Sequence, residues 1–338
     1  MTTASVQCPA TGPAACPATS AMPAASKAQA APAKAAVPLA VYAKLVACTF
    51  LWGGTFIAGR LASAALPVTV AATVRFAIAA ALLLLVAWRL EGGLPRLSRA
   101  QVLATALLGL SGIFLYNLCF FGAMTHIPAG RAALFIALNP IVTALAAAVV
   151  LRERLTALRW GGIGLAFIGA AIVITRGDPL GALHDISQSL GVGELLMLGA
   201  ISCWAAYTLI GKAALKGLSP IAATTYAALW GLFFLTISSA RQLGGIEWTA
   251  VSWQVWASLF YLGAFGTVFG FIWWYEGVKA IGASRAAVFN NLVPVFGVSL
   301  AALVLGEPVL ASMVAGGVLV AAGVTLTNMV SPPAPPAK

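Results

Sequence analysis

The segment Ile127-Pro-Ala-Gly-Arg-Ala-Ala-Leu-Phe135, which leads into Asn139-Pro140, recurs 154 positions later as Ile281-Gly-Ala-Ser-Arg-Ala-Ala-Val-Phe289, which leads into Pro294. Residues 127–169 align with 281–323 without a gap, with about 16 identities in 43 columns. Stretches rich in Ala and Leu match by chance, so the weight falls on residues that apolar helices use sparingly. These are Arg131 with Arg285, Pro140 with Pro294, Glu153 with Glu307, and Gly162 with Gly316. The register reaches back to Gly109 and Gly112, which meet Gly263 and Gly266. At a spacing of 152, Trp52 meets Trp204, Gly59 meets Gly211 and Arg60 meets Lys212. The chain reads as a duplication.

Composition says what is duplicated. Of 338 residues, 61% are apolar and only 8% are Asp, Glu, Lys or Arg, whereas a soluble domain carries about 25% charged residues. No water-facing shell can be made from that. Apolar runs fall at about 42–61, 68–88, 102–122, 132–151 and 157–175, then at 192–211, 221–240, 254–275, 286–305 and 310–330. Each is near the ~20 residues that a helix needs to cross a bilayer. A membrane strand would be ~10 residues long and alternate in polarity. The expected fold is therefore all-α, with ten transmembrane helices arranged as two five-helix repeats. Because five is odd, the second repeat enters the membrane from the opposite face, and inverted repeats of this kind are an architecture of secondary transporters.

The domain reading follows: a disordered tail at 1–40, repeats at 41–176 and 192–330, a linker at 177–191, and a Pro-rich tail at 331–338. If the N-terminus is cytoplasmic, fourteen of the nineteen Lys and Arg fall on the inside. Four fall outside, and Arg75 lies within the second run. The positive-inside rule then places both termini in the cytoplasm of a cell inner (plasma) membrane. The net charge of +11 is scattered between apolar runs rather than gathered on one face, so a nucleic-acid partner is not expected. Cys8, Cys16, Cys48, Cys119 and Cys203 lack metal or disulfide spacing and read as unpaired thiols.

Trp52-Gly-Gly-Thr-Phe, Val74-Arg75-Phe76, and Ala129-Gly-Arg-Ala-Ala followed by Asn139-Pro140 and Arg152-Glu153 are motifs of the first half. The second half echoes them in Trp204 with Lys212, Ala283-Ser-Arg-Ala-Ala with Pro294, and Gly306-Glu307. Weak singly, in this duplicated order they resemble the EamA-type drug/metabolite transporter superfamily over roughly residues 40–330. The resemblance implies ten helices, inverted symmetry and a central cavity lined mainly by helices one, three, four, six, eight and nine. It also implies a small-molecule cargo; many relatives export amino acids or other metabolites.

Polar side chains inside lipid are costly unless they face a cavity or find a partner. The candidate substrate-binding residues are thus Trp52, Thr55, Tyr116, Asn117, Asn139, Trp204, Tyr207, Asn290 and Asn291. Amides can pair with a carboxylate or an ammonium, and aromatics can stack on a ring or a cation. The alternative is that the Asn residues tie neighbouring helices together and that Trp273, Trp274 and Tyr275 are interfacial anchors. Structural or gating roles are expected for Arg75, Arg131, Glu153, Arg285 and Glu307. Arg75 needs a buried partner: pairing with backbone carbonyls and steadying of a helix end are its structural readings, and binding of a substrate carboxylate is the alternative. Arg131 and Arg285 stand at helix starts suited to holding an anion such as lipid phosphate. Glu153 and Glu307 read as caps on the turns into helices five and ten. Glu276 is the acid expected nearest the cavity.

The leading functional reading is a secondary transporter working by alternating access, with membrane lipid as surroundings and a homodimer possible. A membrane enzyme is the runner-up. However, the chain has only His126 and His184, with no His-Glu-x-x-His and no Gly-x-Ser-x-Gly. Gly211-Lys212 lacks the Walker glycine, and no cofactor or metal is expected. A channel or lipid-flipping protein would share the fold.

Overall fold

The computed structural model describes residues 38–150, 156–175, 191–214, 217–281 and 289–329, and every regular element within them is helical. The order is α1 (Leu39–Ala65), α2 (Val68–Glu91), α3 (Arg99–His126), α4 (Ala129–Ile136, resuming as Asn139–Val150), α5 (Ala157–Ile174), α6 (Val192–Ala214) and α7 (Pro220–Leu243). There follow α8 (Trp253–Phe260, Tyr261–Phe269 and Gly270–Ile281, end to end), α9 (Leu292–Leu305) and α10 (Ala311–Met329). The tails, the linker, and the segments holding Glu153 and Arg285 lie outside the described residues.

Local chemistry sets several boundaries. Pro38, Pro67 and Pro128 stand immediately before α1, α2 and α4, where a missing N–H costs nothing. Ser98 and Gln101 form a reciprocal capping box on α3. The break in α4 falls four residues before the ring of Pro140, which crowds the carbonyl of Ile136 and removes one ladder bond. Pro294 repeats this: its i−4 residue, Asn290, lies in the turn that precedes α9.

Among the described residues, seven helices are long and apolar enough to cross a membrane: α1, α2, α3, α4 to Ala146, α6, α7 and α8 to Trp274. Shorter apolar stretches occupy α5, α9 and α10. The chain is a multi-pass membrane protein. Its outer surface carries Leu303, Trp253, Ile237 and Phe233, whereas its interior is dominated by alanine with a few large residues such as Phe120, Phe121 and Met124. In lipid, apolar surface gains nothing by turning inward, so close approach of small residues holds the helices together.

The contacts run in symmetry-related pairs. A Cβ on Gly169 would sit 2.6 Å from the Gly316 carbonyl oxygen, and one on Gly323 would sit 2.5 Å from that of Gly162. Gly162 and Gly316 are repeat mates, as are Gly169 and Gly323, so these are two copies of one contact. The partner number falls as the residue number rises, so α5 and α10 run antiparallel. The same holds for α4 and α9, where Gly130 meets Ala301 and Gly297 meets Ala133. It holds again for α2 and α7, tied by Thr69 to Gln242 and by Thr73 to Ser239 at 2.9 Å.

Both halves also widen one helix at an equivalent place. Gly109–Leu115 in α3 and Tyr261–Phe269 in α8 adopt π-helical turns, a geometry concentrated at functional sites.

Substituting Gly169→Val should lower the thermal midpoint in detergent, because the side chain meets backbone that cannot yield; overpacking of this kind costs about 1–3 kcal/mol. Gly161→Ala, on the same helix but with open space around its Cβ, should leave the midpoint unchanged.

Candidate functional site

A cavity lies where α1, α2, α3, α4, α6, α8 and the start of α9 converge. The π turns and the two proline breaks all border it: Gly112 and Ile113, Gly266 and Thr267, Ile136 to Pro140, and Asn290 to Val293. It also gathers Trp52, Thr55, Tyr116, Asn117, Asn139, Trp204, Tyr207, Asn290 and Asn291, all nine residues singled out in the sequence. Arg75 and Phe76 bring in α2, which is not among the helices that the family resemblance implies as the main lining. Phe56, Ile113, Thr267 and Phe271 were missed as well. Ile113 and Phe271 carry no polar signal, but they are the repeat mates of Thr267 and Asn117.

One wall is aromatic. Trp204 packs on Tyr116, Tyr207 and Phe271 at centroid distances of 5.7, 5.4 and 6.2 Å, and Phe271 continues to Trp52 at 6.0 Å. Trp52 donates its indole N–H to the Gly266 carbonyl at 3.0 Å, so its polar edge is committed to the scaffold and its ring face is what remains. Tyr207 lies against Gly112, and Thr55 lies against Gly266, its Cγ2 2.7 Å from where a Cβ would be. These two contacts are again repeat mates. Trp274 packs on Trp52 at 5.3 Å and so extends the aromatic chain rather than standing alone as an anchor; the Tyr275 side chain is outside the described residues.

The opposite chemistry is concentrated around Arg75, which is 8% exposed. Its Nη1 donates to Asn117 Oδ1 at 2.9 Å and its Nη2 to Thr267 Oγ1 at 3.5 Å; its Nε–H has no partner. The Phe76 ring lies 5.2 Å from the guanidinium. Asn117 is oriented in turn by donating to the Ile113 carbonyl at 2.6 Å. The partners of this cation are thus neutral. Among the described residues, the buried Oδ1 atoms of Asn139 and Asn290 also lack hydrogen-bond partners.

Beyond the cavity, charges join the halves where α4 begins. Arg131 pairs with Glu194 of α6 at 2.9 Å, the two side chains 8% and 4% exposed. Arg131 therefore holds a protein carboxylate rather than a lipid phosphate. Glu307 accepts the N–H groups of Ala129 and Gly130, each at 2.9 Å. It caps α4 of the other half, where the helix dipole favours an anion, not the turn into α10. Arg60 of α1 donates to the carbonyls of Met124 and Ile127. Glu276, expected near the cavity, instead pairs with Lys44 at 2.6 Å, with both side chains nearly half exposed.

Removing one member of a buried ion pair strands the other and costs about 3–5 kcal/mol. Glu194→Leu should therefore destabilise the protein strongly in chemical or thermal unfolding, and adding Arg131→Met should recover a substantial part of the loss. Additive losses would show that the two residues do not act as a pair.

Comparison with known proteins agrees with this architecture. The model of the EamA-like transporter family matches residues 39–175 and again 191–329. An uncharacterized transporter of Bacillus subtilis (strain 168), YyaM, is 31% identical over 287 residues, covering 85% of this chain and 92% of the relative. A probable terminal-alkyne amino-acid exporter of Streptantibioticus cattleyicolor is 28% identical, covering 84% and 92%. A probable amino-acid metabolite efflux pump of Salmonella typhimurium is 29% identical, covering 81% and 89%. A solved crystal structure with 18% identity covers 86% of this chain and 98% of its own at a TM-score of 0.59, a likeness of fold. With both halves matched and most of each relative spanned, the chain belongs to the EamA-like transporter family.

Proposed function

We propose that this chain is a secondary transporter that exports amino acids or closely related metabolites across the inner (plasma) membrane by alternating access. The observation that carries the reading is the cavity's position, between two sets of helices whose repeat-related members run antiparallel. In such a frame each end of the cavity is built from equivalent elements facing opposite sides, so a path open to one side has a counterpart closed to the other. Ten spans with both termini cytoplasmic fit the alternation of Lys and Arg along the loops. The names of two relatives favour amino acids as cargo.

In this reading the contacts at the start of α4 form a gate. Arg131 with Glu194, and Glu307 with the amides of Ala129 and Gly130, join α4 to α6 and α9. All of these contacts must part before the cavity can open at that end. By the proposed topology this is the outer end. The nine cavity residues named above are the substrate contacts.

Two measurements test the proposal. In proteoliposomes, uptake of a radiolabelled amino-acid panel should saturate for at least one member and accelerate when unlabelled substrate is present inside. Flux linear in concentration would replace the carrier with a channel, and chemical conversion without translocation would replace it with an enzyme. In whole cells and on a background lacking native cysteines, Glu247→Cys should react with a membrane-impermeant maleimide, whereas Arg96→Cys should react only after permeabilisation. Labelling of both positions in intact cells would refute the topology.

A further inference from the structure

The scaffold around the cavity is duplicated, but its polar groups are not. A Cβ on Gly263 would meet the Arg75 carbonyl oxygen at 2.9 Å and the side chain of Ile78. A Cβ on Gly109 would meet the Ala227 carbonyl oxygen at 2.7 Å and the side chain of Trp230. These contacts are copies of each other, with Ala227 in the place of Arg75 and Trp230 in the place of Ile78, both 152 residues on. The helix contact that Arg75 makes through its backbone is therefore made equally well by an alanine. The partners follow the same pattern: Asn117 is matched by Phe271, and Thr267 by Ile113. A guanidinium buried within a membrane span without a carboxylate is costly, and the backbone contact between α2 and α8 does not require it.

We propose that Arg75 is the carboxylate subsite of this cavity and that the unpartnered amide oxygens of Asn139 and Asn290 form its ammonium subsite, so that the cargo must be a zwitterion. The assignment rests on the transporter reading above and narrows its cargo. Among the described residues no carboxylate pairs with Arg75, and no acid lines the cavity. A substrate carboxylate would supply the missing anion and a charge-assisted bond to the free Nε–H. An ammonium has three donors and no acceptor, and the two asparagine oxygens are buried acceptors with nothing to accept. Leaving such groups unpaired is unfavourable, so occupancy by a ligand with one anionic and one cationic end satisfies both sets together. The aromatic wall is then left for the substrate's side chain.

The test compares each amino acid with its α-amide and its decarboxylated amine, by thermal shift and by competition for countertransport on the full-length protein. Wild type should bind the acid at least tenfold more tightly than the amide or the amine. In Arg75→Gln this preference should collapse through weaker binding of the acid, with amine binding unchanged or stronger. If that variant fails to fold, Arg75→Lys, which retains the charge, should keep a reduced acid preference. Asn139→Leu and Asn290→Leu should weaken amino acids but not their deaminated carboxylic acids. Equal binding of acid and amide by wild type, or a uniform loss for all three compounds in Arg75→Gln, would overturn the assignment. Saturable amino-acid flux with no acid preference would sink this inference and leave the carrier standing. Acid-selective, Arg75-dependent binding without flux would do the reverse.

Discussion

The backbone contact between α5 and α10 sets the terms for the rest of the molecule. Two helices in lipid have no hydrophobic incentive to meet, so they associate where side chains are small enough for the backbones themselves to touch. Gly162, Gly169, Gly316 and Gly323 make that approach from both sides at once. Because the four positions are two copies of one pair, the contact is self-complementary only when the helices are antiparallel. Small residues at Gly130, Ala133, Gly297 and Ala301 likewise let α4 and α9 approach closely, although these contacts are not copies of one another. Each helix carries its proline break to the cavity rim. A close-packed frame of small residues thus leaves a space in the middle that large side chains must line.

That space joins symmetric positions to asymmetric chemistry. Gly112 and Gly266, Trp52 and Trp204, and Thr55 and Tyr207 occupy matched places on the lining. Yet the polar members are distributed unevenly. Asn139 stands against Val293, Asn290 against Ile136, and Asn291 against Ala137, and in each pair both residues line the cavity. A duplicated fold with a duplicated lining would bind a symmetric molecule. In the proposed carrier, divergence of the lining while the helix contacts stay fixed would give one binding orientation within a frame free to rock about its two-fold relation.

How much of this was legible in the sequence depends on how far apart the interacting residues lie. Helix existence was readable, because hydropathy acts locally; the interruptions before Pro140 and Pro294 were not, since the runs at 132–151 and 286–305 are apolar enough to read as continuous spans. The nine cavity residues were readable because a polar or amphipathic group within a lipid span is conspicuous. Phe271 and Ile113 were not, since an apolar residue facing a cavity looks like one facing lipid. The π turns could not be foreseen from Gly109 and Gly263, which permit them but also permit plain packing. The partners of Glu307 and Arg131, though not their kinds of role, were misread for a different reason. Each invites a local or lipid partner by its place at a helix junction, whereas the real partners, Ala129 and Gly130 for one and Glu194 for the other, come from the opposite half.

The distribution of charge supports one last step. Four of the five acids among the described residues are engaged: Glu194 with Arg131, Glu307 with the α4 amides, Glu276 with Lys44, and Glu91 with the Ser219 hydroxyl, while Glu247 is exposed in the loop between α7 and α8. The cavity, by contrast, is lined among the described residues by one cation and no acid. A buried carboxylate that bridges the halves, such as Glu194, has the cost of its burial offset by its partner. Among the described residues Arg75 has only neutral partners. Under the proposed zwitterion site, its compensating anion is the substrate's own carboxylate, which arrives and departs with the cargo.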